Sequence, residues 1–203
     1  FPDDLIEEIA VNPKIVKYVD LPLQHISTPI LSNMKRSIDR ESTEALVSKI
    51  RSRIPGVAIR STFIVGYPGE KASDYAELVQ FIKEFKFERF GVFAYSPEEN
   101  TPAFEQKDNI PHKTKMQRMS GLLRYHEKAS IEFNKKLVGK TLKVIVDEFN
   151  PEEKCFYART AIDAPEIDNI VRLFVTGEHA LNPGDIVEAK VVSSGIFDID
   201  CEF

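Results

Sequence analysis

Val57-Ala-Ile-Arg-Ser-Thr-Phe-Ile-Val65 is a run of mostly apolar and β-branched residues, and Gly66-Tyr-Pro-Gly69 follows it directly. Beyond this turn, apolar residues recur at the spacing of one helix face: Tyr75, Leu78, Val79, Ile82 and Phe85. The segment therefore predicts a buried strand, a tight turn and a helix that packs back on the strand.

The flanking segments repeat this alternation of strand and helix. A helix is predicted over 2–11, a strand over 15–21, helices over 28–35 and 41–53, and a strand over 90–94. Strands separated by helices favour right-handed crossovers and a parallel sheet, which binds ligands at the carboxyl ends of its strands. We therefore predict an α/β domain over residues 1–137, a partial parallel (β/α) barrel that ends in a bridging helix from Pro111 to about Lys136.

The rest of the chain, residues 138–203, changes to a period of two. Apolar residues alternate in three segments, which are Leu142 to Val146, Val171 to Val175 and Val187 to Val191, and in a last strand with Phe197, Ile199, Cys201 and Phe203 on one side. Five short strands in about 65 residues suit a small barrel. We predict an antiparallel, OB-like β-barrel domain here.

The amino-acid composition limits the classes of protein to which this chain can belong. The chain has 203 residues, of which 42% are hydrophobic and 29% charged, with no apolar run long enough for a membrane span and no signal peptide at its start. We expect a cytoplasmic monomer without a membrane partner. Cys155 and Cys201 are too few for a disulfide framework or a metal cluster, so we expect buried thiols. Because the chain begins with Phe1, we also expect a fragment.

The net charge of -5 is unevenly divided. Residues 138–203 carry six basic and thirteen acidic side chains, a net charge of -7, whereas residues 1–137 carry +2. Such asymmetry indicates two units with different partners.

Three features at the predicted strand ends suggest ligand binding. The glycines of the Gly66 to Gly69 turn allow close backbone approach, although the spacing matches neither a Walker loop nor a dinucleotide fingerprint, and a plain strand-to-helix connection is the alternative. Gln24 follows a predicted strand and offers both a donor and an acceptor. Arg60 lies inside an apolar strand, so it needs a carboxylate partner, either within the protein or on a ligand.

Other catalytic and metal-binding classes lack support. The four histidines, His25, His112, His126 and His179, show no ligand spacing, and His126 is at a position that predicts packing. Nothing resembles a nucleophile elbow. The sequence therefore predicts no metal site within this chain, no hydrolytic machinery and no identifiable catalytic residue.

Seven segments in order resemble the radical-SAM methylthiotransferases, from the later part of the radical-SAM barrel to the TRAM domain. They are Tyr18 to His25, Ile30 to Arg36, Ile54 to Gly56, Arg60 to Glu70, Phe93 to Ala103, Val138 to Val146, and Ala158 to Asp168. His25 after Leu21-Pro-Leu-Gln24, together with Ala164-Pro-Glu-Ile-Asp168, resembles the RimO type, which modifies a protein, more than the tRNA-directed type.

The resemblance implies a transferase that methylthiolates the β-carbon of an aspartate in small-subunit ribosomal protein twelve. It implies two cofactors, S-adenosylmethionine and 4Fe-4S clusters. It also implies that Gln24, Arg60, Gly66, Pro68, Gly69 and Glu70 contact S-adenosylmethionine. The family's CxxxCxxC loop is absent here, so we expect the cluster ligands to lie outside this chain and the chain alone to be inactive.

The last strand gives an expectation about the partner. Asp198, Asp200 and Glu202 lie on one strand face, where they form either a solvated, edge-protecting surface or a docking surface for a basic ribosomal protein. A tRNA-directed enzyme with an RNA-binding TRAM module is the alternative, but a charge of -7 repels a polyanion, so we expect no direct nucleic-acid partner. A non-catalytic α/β scaffold is the third hypothesis.

Overall fold

The computed structural model describes residues 1–101, 103–177 and 180–203. Pro102, Glu178 and His179, which the sequence analysis counted, lie outside the described residues. The chain divides into two compact units, Phe1–Arg124 and Tyr125–Phe203, and a long helix runs across the division. The domain boundary at residue 137 therefore stays a prediction.

The first unit alternates helices and strands as predicted. Its elements are α1 (Asp3–Val11), β1 (Tyr18–Asp20), α2 (Thr28–Asn33), α3 (Arg40–Arg53), β2 (Ala58–Val65), α4 (Ala72–Phe85) and β3 (Arg89–Ala94), followed by α5 (His112–Lys135), which continues into the second unit. The strands form a sheet in the order β1-β2-β3, and both pairs are parallel. Consequently all three strands end at one edge of the sheet.

The first strand is shorter than the predicted 15–21. Ile15 and Val16 are 37% and 57% exposed, and strand β1 begins only at Tyr18. Pairing starts where the Ala58 N–H donates to the carbonyl of Lys17 (2.8 Å), because β2 itself begins at Ala58. An apolar run alone does not show where the neighbouring strand starts.

Aromatic packing joins β2 to α4 and β3. Phe63 is fully buried, and its ring meets those of Phe87 and Phe90 edge to face, with centroids 5.5 and 5.9 Å apart. Leu78 and Ile82 on α4 are also fully buried. The predicted apolar face of this helix is therefore confirmed, and the opening segment forms the core of the first unit.

The second unit contains a closed barrel of five strands. They are β4 (Thr141–Asn150), β5 (Cys155–Thr160), β6 (Val171–Phe174), β7 (Ile186–Ser194) and β8 (Ile199–Glu202), in the order β4-β5-β6-β8-β7. Strand β7 pairs with β4, which closes the barrel and confirms the OB-like prediction.

The prediction of an antiparallel barrel is wrong for one of its strand pairs. Four pairs are antiparallel, but β6 and β8 run parallel because β8 inserts between β6 and β7. Alternation is otherwise confirmed, since Ile199 and Cys201 of β8 are buried whereas Glu202 is exposed. A period of two predicts which face is buried but not which strand is the neighbour.

Candidate functional site

A cleft of about 620 Å³ lies in the first unit at the carboxyl edge of the sheet. Its lining includes Gln24, which follows β1, Ile64 near the end of β2, and Phe93 at the end of β3. The volume lies within the range of small-molecule sites, and parallel sheets place such sites at this edge. The predicted location of a ligand site is thus matched by a cleft.

Gln24 is held in an uncommon backbone conformation. Its φ is 69°, in the left-handed region that few non-glycine residues adopt. The Gln24 N–H donates to the Thr62 carbonyl and the Ile64 N–H donates to the Gln24 carbonyl, both at 2.8 Å. Gln24 lines the cleft, and its side-chain amide makes no hydrogen bond within the part of the chain that the structure describes. Gln24 therefore presents a donor and an acceptor to the cleft.

Two tyrosines give the cleft a rigid aromatic wall. The rings of Tyr67 and Tyr95 lie edge to face with centroids 5.0 Å apart, and both side chains are buried. The Tyr67 hydroxyl donates to the Asn33 carbonyl (3.1 Å) and the Tyr95 hydroxyl to the Ala103 carbonyl (2.9 Å). Burial raises the pKa of both phenols, so they remain neutral donors. This wall suits the flat face of a heteroaromatic ring.

The cations that line the cleft are Lys35 and Arg36. They follow the end of α2 at Asn33, and Lys35 has a φ of 59°. Arg36 is exposed, and its Nη2 donates to the carbonyl of Pro22. These two cations lie within one of the segments that resemble the family, but no role was predicted for them. The signal in the sequence was two adjacent cations, Lys35 and Arg36, shortly after the short helix that follows Gln24.

Arg60 has a partner within the protein. Its Nη1 lies 3.2 Å from Asp20 Oδ2, and the two residues are paired in the register of β1 and β2. Arg60 precedes the end of β2 by five residues and is not among the cleft-lining residues that the structure describes. Of the two partners left open by the sequence, the internal carboxylate is the one observed. Direct contact of Arg60 with a cofactor stays a prediction.

Most residues of the turn from Gly66 to Glu70 do not line the cleft. Gly66, Pro68, Gly69 and Glu70 were predicted to contact cofactor, but among the described residues of the turn only Tyr67 lines the cleft. The Glu70 side chain is fully buried, and its Oε2 accepts hydrogen bonds from the Gly66 N–H and from Arg118 Nη1 (2.8 Å). Cofactor contact by the four predicted residues stays a prediction, whereas support of the turn by Glu70 is observed.

The predicted row of acidic side chains in the second unit is partly neutralised. Asp200 Oδ1 accepts a hydrogen bond from Arg172 Nε at 2.7 Å, and Asp198 Oδ1 accepts the N–H of Ile170 at 3.0 Å. Glu202 is exposed. Arg172 lies beside Asp200 because β6 is the parallel neighbour of β8, and docking of a substrate by Asp198, Asp200 and Glu202 stays a prediction.

The cysteines and His126 are confirmed as packed residues. Cys155 and Cys201 are 1% and 0% exposed, and burial raises the pKa of Cys201 to about 11. The His126 ring packs on Phe197, with centroids 5.4 Å apart. Within residues 1–101, 103–177 and 180–203, no group of His, Cys, Asp and Glu side chains has the arrangement of a metal site. In the same ranges, no helix is long and apolar enough to cross a membrane.

Comparison with known sequences gives the relatives of this chain. Residues 138–203 match the family model of the TRAM domain. The chain is 44% identical to the ribosomal protein uS12 methylthiotransferase RimO of Caldanaerobacter subterraneus subsp. tengcongensis, over 99% of the chain and 45% of that protein. Identity to RimO of Carboxydothermus hydrogenoformans is 42%, over 100% of the chain and 47% of that protein. The chain thus spans about half the length of the curated relatives it matches.

A solved structure supports the fold. Coproporphyrinogen III oxidase (HemN) from Escherichia coli, a radical SAM enzyme, superposes with a TM-score of 0.53 over 64% of this chain and 30% of that chain. At 16% identity this likeness concerns the fold alone. The sequence matches and the TRAM domain show that the chain resembles the C-terminal part of the RimO-type methylthiotransferases over nearly its whole length.

Proposed function

We propose that this chain provides the cofactor cleft and the TRAM domain of an enzyme that methylthiolates an aspartate β-carbon in ribosomal protein uS12. The observation that carries the proposal is the cleft at the carboxyl edge of the sheet, which Gln24 lines in a left-handed backbone conformation. A backbone conformation of this kind persists where the surrounding structure enforces it, and such residues cluster at functional sites.

The residues of the cleft fit S-adenosylmethionine. An aromatic wall from Tyr67 and Tyr95 suits the adenine ring, the Gln24 amide suits hydroxyl or amino groups, and Lys35 or Arg36 suits the methionyl carboxylate. When bound, S-adenosylmethionine supplies the methyl group and the one-electron chemistry of this family. The residues of this chain bind and orient the cofactor.

The iron-sulfur clusters do not fit the cysteines of this chain. Cys155 and Cys201 are buried in the second unit, and neither belongs to a group with the arrangement of a metal site among the described residues. We propose that ligands outside this chain hold the clusters.

The proposed activity is tested with the full-length protein and reconstituted clusters. Incubation with S-adenosylmethionine, a sulfur source, a reductant and purified uS12 is expected to add one methylthio group to an aspartate of uS12, detected by mass spectrometry of its peptides. A parallel incubation with tRNA is expected to give no modified nucleoside. Modification of tRNA and not of uS12 would contradict the proposal in favour of the tRNA-directed type.

We also propose that the acidic surface of the TRAM domain attracts the basic substrate protein. Residues 138–203 carry a net charge of -7, and Glu202 is exposed beside the paired Asp200. Opposite net charges accelerate association, and this effect falls with ionic strength. The partner that this charge favours is a basic protein; a nucleic acid is disfavoured.

Replacing Asp198, Asp200 and Glu202 together by Asn, Asn and Gln is expected to slow association with uS12 a few-fold at low salt and to flatten its salt dependence. Glu202→Gln alone should give part of this effect without removing the Asp200 contact to Arg172. The measurement is the association rate of the full-length protein at several salt concentrations. An RNA-binding barrel would behave oppositely, because loss of negative charge would strengthen its binding to RNA.

A further inference from the structure

Three segments of the first unit converge on the carboxylate of Glu70. The Gly66 N–H donates to Glu70 Oε2, and Arg118 Nη1 donates to the same oxygen (2.8 Å) and to the Glu70 carbonyl (3.3 Å). His25 Nε2 lies 3.5 Å from Glu70 Oε1. The side chains of His25 and Glu70 are both fully buried. The Glu70 carboxylate thus joins the turn after β2 to helix α5, and it lies beside His25 in the segment after β1.

The hydrogen bonds around His25 determine which ring nitrogen carries the proton. His25 Nδ1 accepts the N–H of Ser27 at 3.0 Å, so this nitrogen has no hydrogen of its own. The proton of the neutral ring is therefore on Nε2, the nitrogen that faces Glu70 Oε1. His25 consequently hydrogen-bonds to the backbone of Ser27, whereas its Nε2 and Glu70 Oε1 face each other at 3.5 Å and neither atom has a hydrogen-bond partner among the described residues.

Each partner of Glu70 is close in sequence to a residue that lines the cleft. His25 follows Gln24, and Gly66 precedes Tyr67. The helix of Arg118 also carries Lys115, whose Nζ donates to the carbonyl of the cleft-lining Tyr95 (3.1 Å). Movement of the Glu70 carboxylate would therefore change the position of the cleft walls. Removing one partner of a buried carboxylate is costly, since the remaining charge loses its compensation.

We infer that His25 and Arg118 are positioning residues that act through Glu70 to hold Gln24 and Tyr67 in the conformation that binds the cofactor. The inference rests on the proposed function, because it takes S-adenosylmethionine as the ligand of the cleft. It gives the buried Glu70 a task that needs no contact with the cofactor. It also gives the buried His25 a defined structural role.

Two substitutions of His25 separate its two contacts. The amide of Gln reaches about as far as Nε2 and can still donate to Glu70, whereas the amide of Asn reaches only the position of Nδ1 and can still accept from Ser27. In the full-length protein, His25→Gln is expected to bind S-adenosylmethionine with nearly the native Kd. His25→Asn is expected to raise the Kd several-fold, because no side-chain nitrogen then lies beside Oε1 of the buried Glu70 carboxylate. Equal Kd values for His25→Asn and the native protein would overturn the inference.

A pair of substitutions on α5 provides a second measurement. Arg118→Lys keeps the charge but replaces the planar guanidinium by a single ammonium, and it should raise the Kd several-fold. Arg124→Lys is the matched control, because Arg124 is exposed on the same helix and is not among the described residues that line the cleft. If both Arg variants bind equally, the inference fails. If the native protein itself does not bind S-adenosylmethionine, the proposed function fails instead.

A purely structural role for His25 is distinguishable from positioning. Urea unfolding should give the two His25 variants similar midpoints, since each keeps one of the two contacts, while their Kd values differ. If each His25 variant loses affinity only in proportion to its loss of stability, the inference is also overturned. Where His25→Asn does not fold, the comparison of Arg118→Lys with Arg124→Lys decides.

Discussion

Replacing Gly66 by alanine is expected to destabilise the first unit by about 3 kcal/mol, the sum of a backbone cost and a packing cost. Gly66 has a φ of +73°, where a Cβ is unfavourable. A Cβ at this position would also lie 2.4 Å from Lys115 Cγ. The Lys115 side chain cannot easily move away, since its Nζ is held by the Tyr95 carbonyl at 3.1 Å and by Asp108 at 2.5 Å.

Gly56→Ala is the matched control for this substitution. Gly56 lies in the same unit with a similar φ of +78°, but a Cβ there would meet nothing within 4 Å. It should therefore show the backbone cost alone, about 1 kcal/mol. Urea unfolding of the full-length protein, with hydrogen exchange in peptides from β2 to report on the first unit, measures both. Equal losses for the two variants would show that Lys115 does not fill the space beside Gly66.

The same contact makes a double substitution informative. Adding Lys115→Ala removes the side chain that collides with the new Cβ, so the extra cost of Gly66→Ala over Gly56→Ala should largely disappear in that background. The Lys115→Ala change alone should destabilise the unit, because it removes the hydrogen bond to Tyr95 and the ion pair with Asp108. A full extra cost in the Lys115→Ala background would contradict the packing argument.

Local sequence patterns were sufficient to predict the opening strand, the turn and the helix that follows it. The β-branched run from Val57 to Val65, the glycine turn and the apolar face of α4 are all local signals, and each corresponds to an observed element. The partners of charged residues depend on register and could not be predicted in this way. Arg60 faces Asp20 only because β1 and β2 pair in the register that places these two residues opposite each other.

The acidic strand shows the same limit. Alternation correctly separated the buried Cys201 from the exposed Glu202. It gave no information that β8 lies parallel to β6, and this pairing brings Arg172 to Asp200. Strand neighbours that are distant in sequence are set by the closure of the barrel. Charges on a predicted strand face can therefore be assigned to a partner only when the strand order is known.

The structure favours Arg36 as the cation that binds the cofactor carboxylate, whereas the family resemblance implies that Arg60 contacts the cofactor. Arg36 is exposed at the cleft, whereas Arg60 is paired with Asp20 and lies five residues before the end of its strand. A charge-assisted hydrogen bond contributes about 2 kcal/mol, so Arg36→Met in the full-length protein should raise the Kd for S-adenosylmethionine about thirtyfold.

Arg60→Met is the matched control, since it removes the same guanidinium from the same unit. It should leave the Kd within about twofold of the native value, because the contacts that it removes, among them the ion pair with Asp20, lie within the protein. A partly exposed pair of this kind contributes about 1 kcal/mol or less to stability. Equilibrium binding of S-adenosylmethionine measures both variants. The opposite ranking, with Arg60→Met losing the cofactor and Arg36→Met keeping it, would mean that Arg60 leaves Asp20 for the carboxylate of the ligand. The ion pair would then be a resting contact that binding breaks, and the expectation drawn from the family resemblance would hold.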